Sequence, residues 1–129
     1  ECRVIGVELA DGPGMTPALA AGKPVPVARP RTLADGLTPP FVGSIPLEAA
    51  RRHVDEIVLV SEDDIAMGMR ALFERARLVV EGSGAAATAA LLAKRVRLPA
   101  GARVAAIVSG GNVDPERFVE LYDPAARTP

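Results

Sequence analysis

Three short aliphatic runs, Val4-Ile5-Gly6-Val7, Ile57-Val58-Leu59-Val60 and Val104-Ala105-Ala106-Ile107-Val108, show no alternation of apolar and polar positions. A strand with one wet face alternates, so unbroken runs of this length predict strands covered on both faces, as in a parallel sheet flanked by helices. In open parallel sheets ligands bind beyond the C-terminal ends of the strands. That rule directs attention to three places where apolar runs stop: Glu8, the turn after Val80, and Ser109.

The segments between the runs agree with a layered α/β fold. Ser61 with Asp64 three residues on has the form of a capping box, Glu62 and Asp63 add negative charge at the positive end of the helix dipole, and Arg75 and Arg77 sit near the other end. Ile65, Met69, Leu72, Ala76 and Val79 recur at steps of four and three opposite Arg70, Glu74 and Arg77, which predicts an amphipathic helix over 62–78. The stretch 82–95 is apolar nearly all round and made of small side chains, so it predicts a buried helix that lets neighbouring backbones come close. Shorter helices are expected over 17–21, over 45–53, and from Pro115 to about Tyr122 with Asp114 as N-cap. Residues 9–45 are otherwise rich in Pro and Gly, a loop long enough to suggest a functional or mobile excursion. The expected architecture is a three-layer α/β arrangement, a partly parallel sheet with flanking helices. Three strands make a thin sheet, and with the opening Glu1-Cys2-Arg3, which has neither an initiator methionine nor a leader, they suggest a piece of a larger protein.

Composition removes several functions. With 129 residues the chain is one domain at most, and a formal net charge of −1 gives no footprint for nucleic acid. No run approaches the roughly 18 to 20 apolar residues of a membrane span. Cys2 is the only cysteine and His53 the only histidine, which excludes an internal disulfide and a zinc cluster and fits a reducing cytoplasm. His53, beside Arg51 and Arg52, reads as a solvated side chain.

The candidate chemistry lies in three turns. Ser109-Gly110-Gly111-Asn112 puts a hydroxyl at a strand end, followed by two residues that let a planar ring or an anion approach the backbone. Glu81-Gly82-Ser83-Gly84 places a carboxylate just before the buried helix, where burial would favour its protonated form. Thr32-Leu33-Ala34-Asp35-Gly36 falls in the long loop. Each has an ordinary alternative: a tight turn, a helix-start acid, an Asp-Gly turn.

Taken in order, Val4–Glu8, Thr32–Leu37, Val58–Ile65, Leu78–Ala86 and Val108–Asp114 resemble the threonine dehydratase and serine racemase family of fold-type II pyridoxal-phosphate enzymes, over essentially the whole chain. The resemblance implies the C-terminal portion of such a catalytic domain. It implies that Ser109 hydrogen-bonds the cofactor's pyridine nitrogen with Gly110 beside it, that Glu81 is an acid near the cofactor, and that Asp35 and Gly36 line the same pocket. It also implies a divalent or monovalent cation site at Glu8 and Gly12, although its third position is Gly14, which has no side chain to offer. The family's Schiff-base lysine, in a Ser-x-Lys-x-Arg-Gly segment, and its tetraglycine phosphate loop have no counterpart in these residues. Lys23 and Lys94, the only lysines, lie outside any such motif.

The parent reaction implied is deamination of L-threonine or L-serine to a 2-oxo acid, with racemisation as a related outcome. This chain alone is expected to be inactive and to need the N-terminal part of the same enzyme or a complementary chain, or else to self-associate. A non-catalytic binding module, or a piece of a related lyase such as cysteine synthase, is the alternative.

Overall fold

The computed structural model describes residues 2–123. Its centre is a two-stranded parallel sheet in which β1 (Ile5–Leu9) pairs with β2 (Glu56–Val60) in the register Ile5 opposite Glu56 and Leu9 opposite Val60. The connection between the strands carries α1 (Met15–Ala21), a 3-10 turn at Asp35–Leu37 and α2 (Ser44–His53). The 9–45 excursion is therefore partly ordered. After β2 come α3 (Glu62–Ala76), α4 (Gly82–Leu92) and a short α5 (Pro115–Val119) that continues into a 3-10 turn at Glu120–Tyr122. Among the described residues no helix is long and apolar enough to cross a membrane.

The third expected strand does not form. Val104 to Val108 runs outside any sheet with every residue exposed, Val104 at 49% and Ile107 at 76%. A strand needs a neighbour to receive its N–H and C=O groups, and among the described residues no strand pairs with this run. The same lack of neighbours leaves β1 and β2 only partly covered, with Leu59 exposed, where burial on both faces was expected.

The capping box at the start of α3 is present in both directions. Asp64 N–H donates to Ser61 Oγ at 3.2 Å, and Ser61 N–H donates to Asp64 Oδ2 at 2.9 Å. Ile65 and Met69 of the apolar stripe are fully buried, whereas Ala76 and Val79 are exposed because α3 ends at Ala76 and Arg77 turns left-handed. On the polar side of α3 Arg70 is not free in water; its Nη1 donates to the Leu121 carbonyl at 3.0 Å and ties the C-terminal turn to α3. Phe118 adds an edge-on contact with Phe73, ring centroids 5.1 Å apart. Asp114 stands at the N-cap position of α5 with no capping bond from its side chain, so Pro115 at N1 is the effective start signal.

Helix α4 is covered from within the chain. Gly82, Gly84, Ala85, Ala86, Ala89 and Ala90 are buried, and α3 lies directly against it because Gly68 leaves room for Ala89: a Cβ on Gly68 would stand 2.9 Å from the Ala89 methyl. Small residues thus replace a polar face as the condition for this helix. The helix closes at Leu92, before the expected 95, in a Schellman arrangement: Lys94 N–H donates to the Leu91 carbonyl and Arg95 N–H to the Ala90 carbonyl. Lys94 occupies the left-handed position with φ of 56°, where glycine carries no steric cost. Lys94→Gly should therefore raise stability, by about 0.5 to 1 kcal/mol in denaturant unfolding.

Candidate functional site

Three turns separated in sequence meet at the start of α4. The Leu33 carbonyl lies against Gly82 so closely that a Cβ there would stand 2.2 Å from it, and Gly36 faces the Ser83 hydroxyl in the same way at 2.8 Å. From the third turn, Glu81 N–H donates to the Gly110 carbonyl at 3.2 Å. Gly110 in turn presents its bare Cα to the Glu81 carboxylate; a Cβ would fall 2.0 Å from Oε1. The three sequence candidates, Asp35-Gly36, Glu81 and Ser109-Gly110, are therefore brought to one place.

Where a side chain would stand on Gly110 and Gly111 the space is taken by protein atoms, Glu81 Oε1 and the Val79 carbonyl. These glycines serve close packing between turns. What faces outward is Ser109 and Asp35, both exposed, with Glu81 half-buried behind them. Ser83 Oγ is buried beside Gly36 without a hydrogen-bond partner.

The turns are held from below by residues that sequence reasoning did not single out. Glu62, the first residue of α3, accepts from Thr32 Oγ1 and from Leu33 N–H, each at 2.6 Å. Arg117 Nη2 donates to the Thr32 carbonyl at 3.3 Å. Arg95, just past α4, donates to Asp64 Oδ2 through Nε at 2.9 Å and Nη2 at 2.8 Å, which locks the end of α4 to the start of α3. Burial pushes the Asp64 carboxyl up, but hydrogen bonds from the Ser61 backbone, Arg95 and the Ser61 side chain, with the charge of Arg95, outweigh it and hold the group below the usual carboxylate range.

Glu8 lies apart from these turns, at the start of α1. Its Oε1 accepts from Gly14 N–H at 2.8 Å and from Met15 N–H, and its Oε2 accepts from Thr16 N–H at 2.9 Å and Thr16 Oγ1 at 2.6 Å. A carboxylate offers about four lone-pair directions, and here all are used. Gly14, the third position of the implied cation site, directs a donor N–H at the carboxylate, and Gly12 is buried with its N–H on the Leu9 carbonyl. In this arrangement the Glu8 carboxylate acts as the acceptor for the first N–H groups of α1.

An outward hydroxyl at Ser109, a carboxylate at Glu81 and the unpartnered Ser83 Oγ are polar groups gathered where three turns converge. Neither lysine is among the groups that meet there. Lys94 stands beyond the opposite end of α4, roughly 16 Å of helix from Glu81, and Lys23 is exposed in the loop after α1.

A parallel α/β arrangement with polar groups gathered on turns is the kind of layered fold in which small-molecule sites are built. Residues 1–110 match the model of the pyridoxal-phosphate dependent enzyme family, and the chain belongs to that family. It is 46% identical over 114 residues to an L-threonine ammonia-lyase of Geobacter sulfurreducens, a match that takes in 87% of this chain and 28% of that protein. Among solved structures it is similar to an L-serine ammonia-lyase from the fungus Rhizomucor miehei, with a TM-score of 0.83 at 26% identity over 96% of this chain and 41% of that one. Maize serine racemase gives a TM-score of 0.79 at 30% identity, covering 92% of this chain and 37% of the racemase. The chain spans well under half the length of each of these proteins.

Proposed function

We propose that this chain forms one wall of the pyridoxal-phosphate pocket of an ammonia-lyase acting on L-threonine or L-serine, and that it is inactive by itself. The observation that carries the reading is the meeting of Asp35-Gly36, Glu81 and Ser109-Gly110 at the start of α4, supported by membership of the family. The cofactor, when bound, supplies the electron sink for a carbanion at the amino acid's Cα. Ser109 would offer its exposed hydroxyl to the cofactor's ring nitrogen without holding that nitrogen protonated. Glu81, half-buried against Gly110, would hold or deliver a proton at the edge of the pocket. The covalent anchor and the phosphate cradle would come from the N-terminal part of the same enzyme or from a complementary chain, for which the unpaired run Val104–Val108 offers free strand hydrogen bonds. Without that partner the run favours self-association. A cytoplasmic setting suits the exposed thiol of Cys2.

Incubation of the chain with pyridoxal phosphate followed by borohydride should leave no stoichiometric label on Lys23 or Lys94, and L-threonine should not be consumed. Addition of a polypeptide carrying the family's N-terminal half should restore 2-oxo acid formation. Complete labelling of either lysine, or turnover by the chain alone, would overturn the claim of inactivity. A failure of the N-terminal half to bind would favour a self-sufficient binding module.

A further inference from the structure

We infer that Glu62 is a positioning residue for the loop 32–37, holding it against the start of α4 through both of its carboxylate oxygens. Thr32 is buried, and its hydroxyl spends its only proton on Glu62 Oε2 at 2.6 Å while accepting from Ala34 N–H at 3.0 Å. Glu62 Oε1 takes the next backbone donor, Leu33 N–H, also at 2.6 Å. The far side of the same segment rests on α4, where Gly82 admits the Leu33 carbonyl. Residues 32–34 are thus gripped between a carboxylate on α3 and the backbone of α4.

The grip reaches the pocket through the backbone. Leu37 N–H donates to the Ala34 carbonyl at 2.9 Å and closes the 3-10 turn that carries Asp35 and Gly36, so Ala34 sets where that turn begins. A glutamate at the first position of a helix is favoured by the dipole alone. A merely capping role, however, would not need Thr32, buried and 30 residues away in sequence, to be aimed at both the carboxylate and Ala34. The consequence for the amino-acid substrate rests on the pocket reading above, whereas the grip itself does not.

Amide exchange in the folded protein tests the grip. Glu62→Ala and Thr32→Val should each speed exchange at Leu33 and Ala34 about tenfold or more relative to amides of α4, and the double variant should add little to the larger single effect. Thr32→Ser should restore protection, and Glu62→Gln, which keeps one acceptor, should restore part of it. Exchange within about twofold of wild type in Thr32→Val, or full additivity in the double variant, would overturn the inference. Should Glu62→Ala lose protection in α4 as well, Thr32→Val decides, since Thr32 lies outside both helices. With the N-terminal half added, the same variants should raise KM for L-threonine more than they lower kcat. A loosened loop with unchanged KM overturns the positioning role, while a wild-type assembly without any deamination overturns the functional reading instead.

Discussion

Gly82→Ala should destabilise the chain by about 3 kcal/mol, the largest effect expected of any single added methyl group. The new Cβ would stand 2.2 Å from the Leu33 carbonyl oxygen and 2.5 Å from its carbon, main-chain atoms of a residue whose N–H is held by Glu62. Alanine is the better helix former by up to about 1 kcal/mol, but the overlap is with main chain and cannot be relieved by a rotamer change, so the steric term wins. Gly110→Ala offers the control. Its overlap, 2.0 Å from Glu81 Oε1, is nominally shorter, yet it is with the far end of a flexible side chain that can swing away. The cost should then be about 1 kcal/mol, with Glu81 displaced from the pocket edge. Urea unfolding of the two variants ranks them, and a Gly82→Ala midpoint equal to that of Gly110→Ala would show that the loop yields more easily than its hydrogen bonds imply.

The ease with which different parts of this fold can be read from sequence follows the distance over which each is determined. The Ser61–Asp64 box was legible because both partners lie within one helical turn and the bonds are local. The buried nature of α4 was legible from composition, but its partner was not, since Gly68 admitting Ala89 is a fact of tertiary packing. The run 104–108 shows the opposite failure: its residues favour a strand, and a strand still requires a neighbour. The site divides in the same way. Glu81, Ser109 and Asp35 were visible as polar groups at the ends of apolar runs, whereas Glu62 and Arg95 act on partners about 30 residues away and look locally like ordinary helix-end charges. Gly110 and Gly111 were noted for the absence of a side chain, but the protein atoms that come close to them, Glu81 Oε1 and the Val79 carbonyl, are set by tertiary packing that sequence alone does not show.

The packing also places the exposed apolar surface. An all-apolar helix would be the natural suspect, yet most of α4 is enclosed by α3 and the 3-10 turn at Asp35–Leu37, and outward apolar side chains lie at Phe41, Ile45 and Val119 as well as along 98–108 and at Leu78 and Val79. Of these, 98–108 lead into the Ser109 turn and Val79 lies against Gly111 within it. A partner that covered them would also shape the open side of the pocket, so completing the fold and completing the site would be one event rather than two.

Acid should loosen the junction of α3 and α4, and Asp64 is the reason. Its Oδ2 accepts from Ser61 N–H and from Arg95 Nε and Nη2, so the ionised form is favoured in the fold and its folded pKa lies below the unfolded value of about 3.9. A depressed folded pKa contributes stability that is complete above the unfolded pKa and is lost as pH falls through the folded one, so the loss belongs below about pH 4. At neutral pH Asp64→Ala removes the charged acceptor of three bonds, strands Ser61 N–H and unties the end of α4 from the start of α3. Because Arg95 is nearly half exposed, its share is screened, and a cost of about 2 kcal/mol is expected. Asp64→Asn keeps an acceptor for Ser61 N–H but not the charge for Arg95, and should cost about 1 kcal/mol at pH 7 while flattening the acid limb. Urea unfolding of wild type and both variants between pH 7 and pH 3 measures this directly. A wild-type acid limb that survives unchanged in Asp64→Asn would assign the acid sensitivity to another carboxylate.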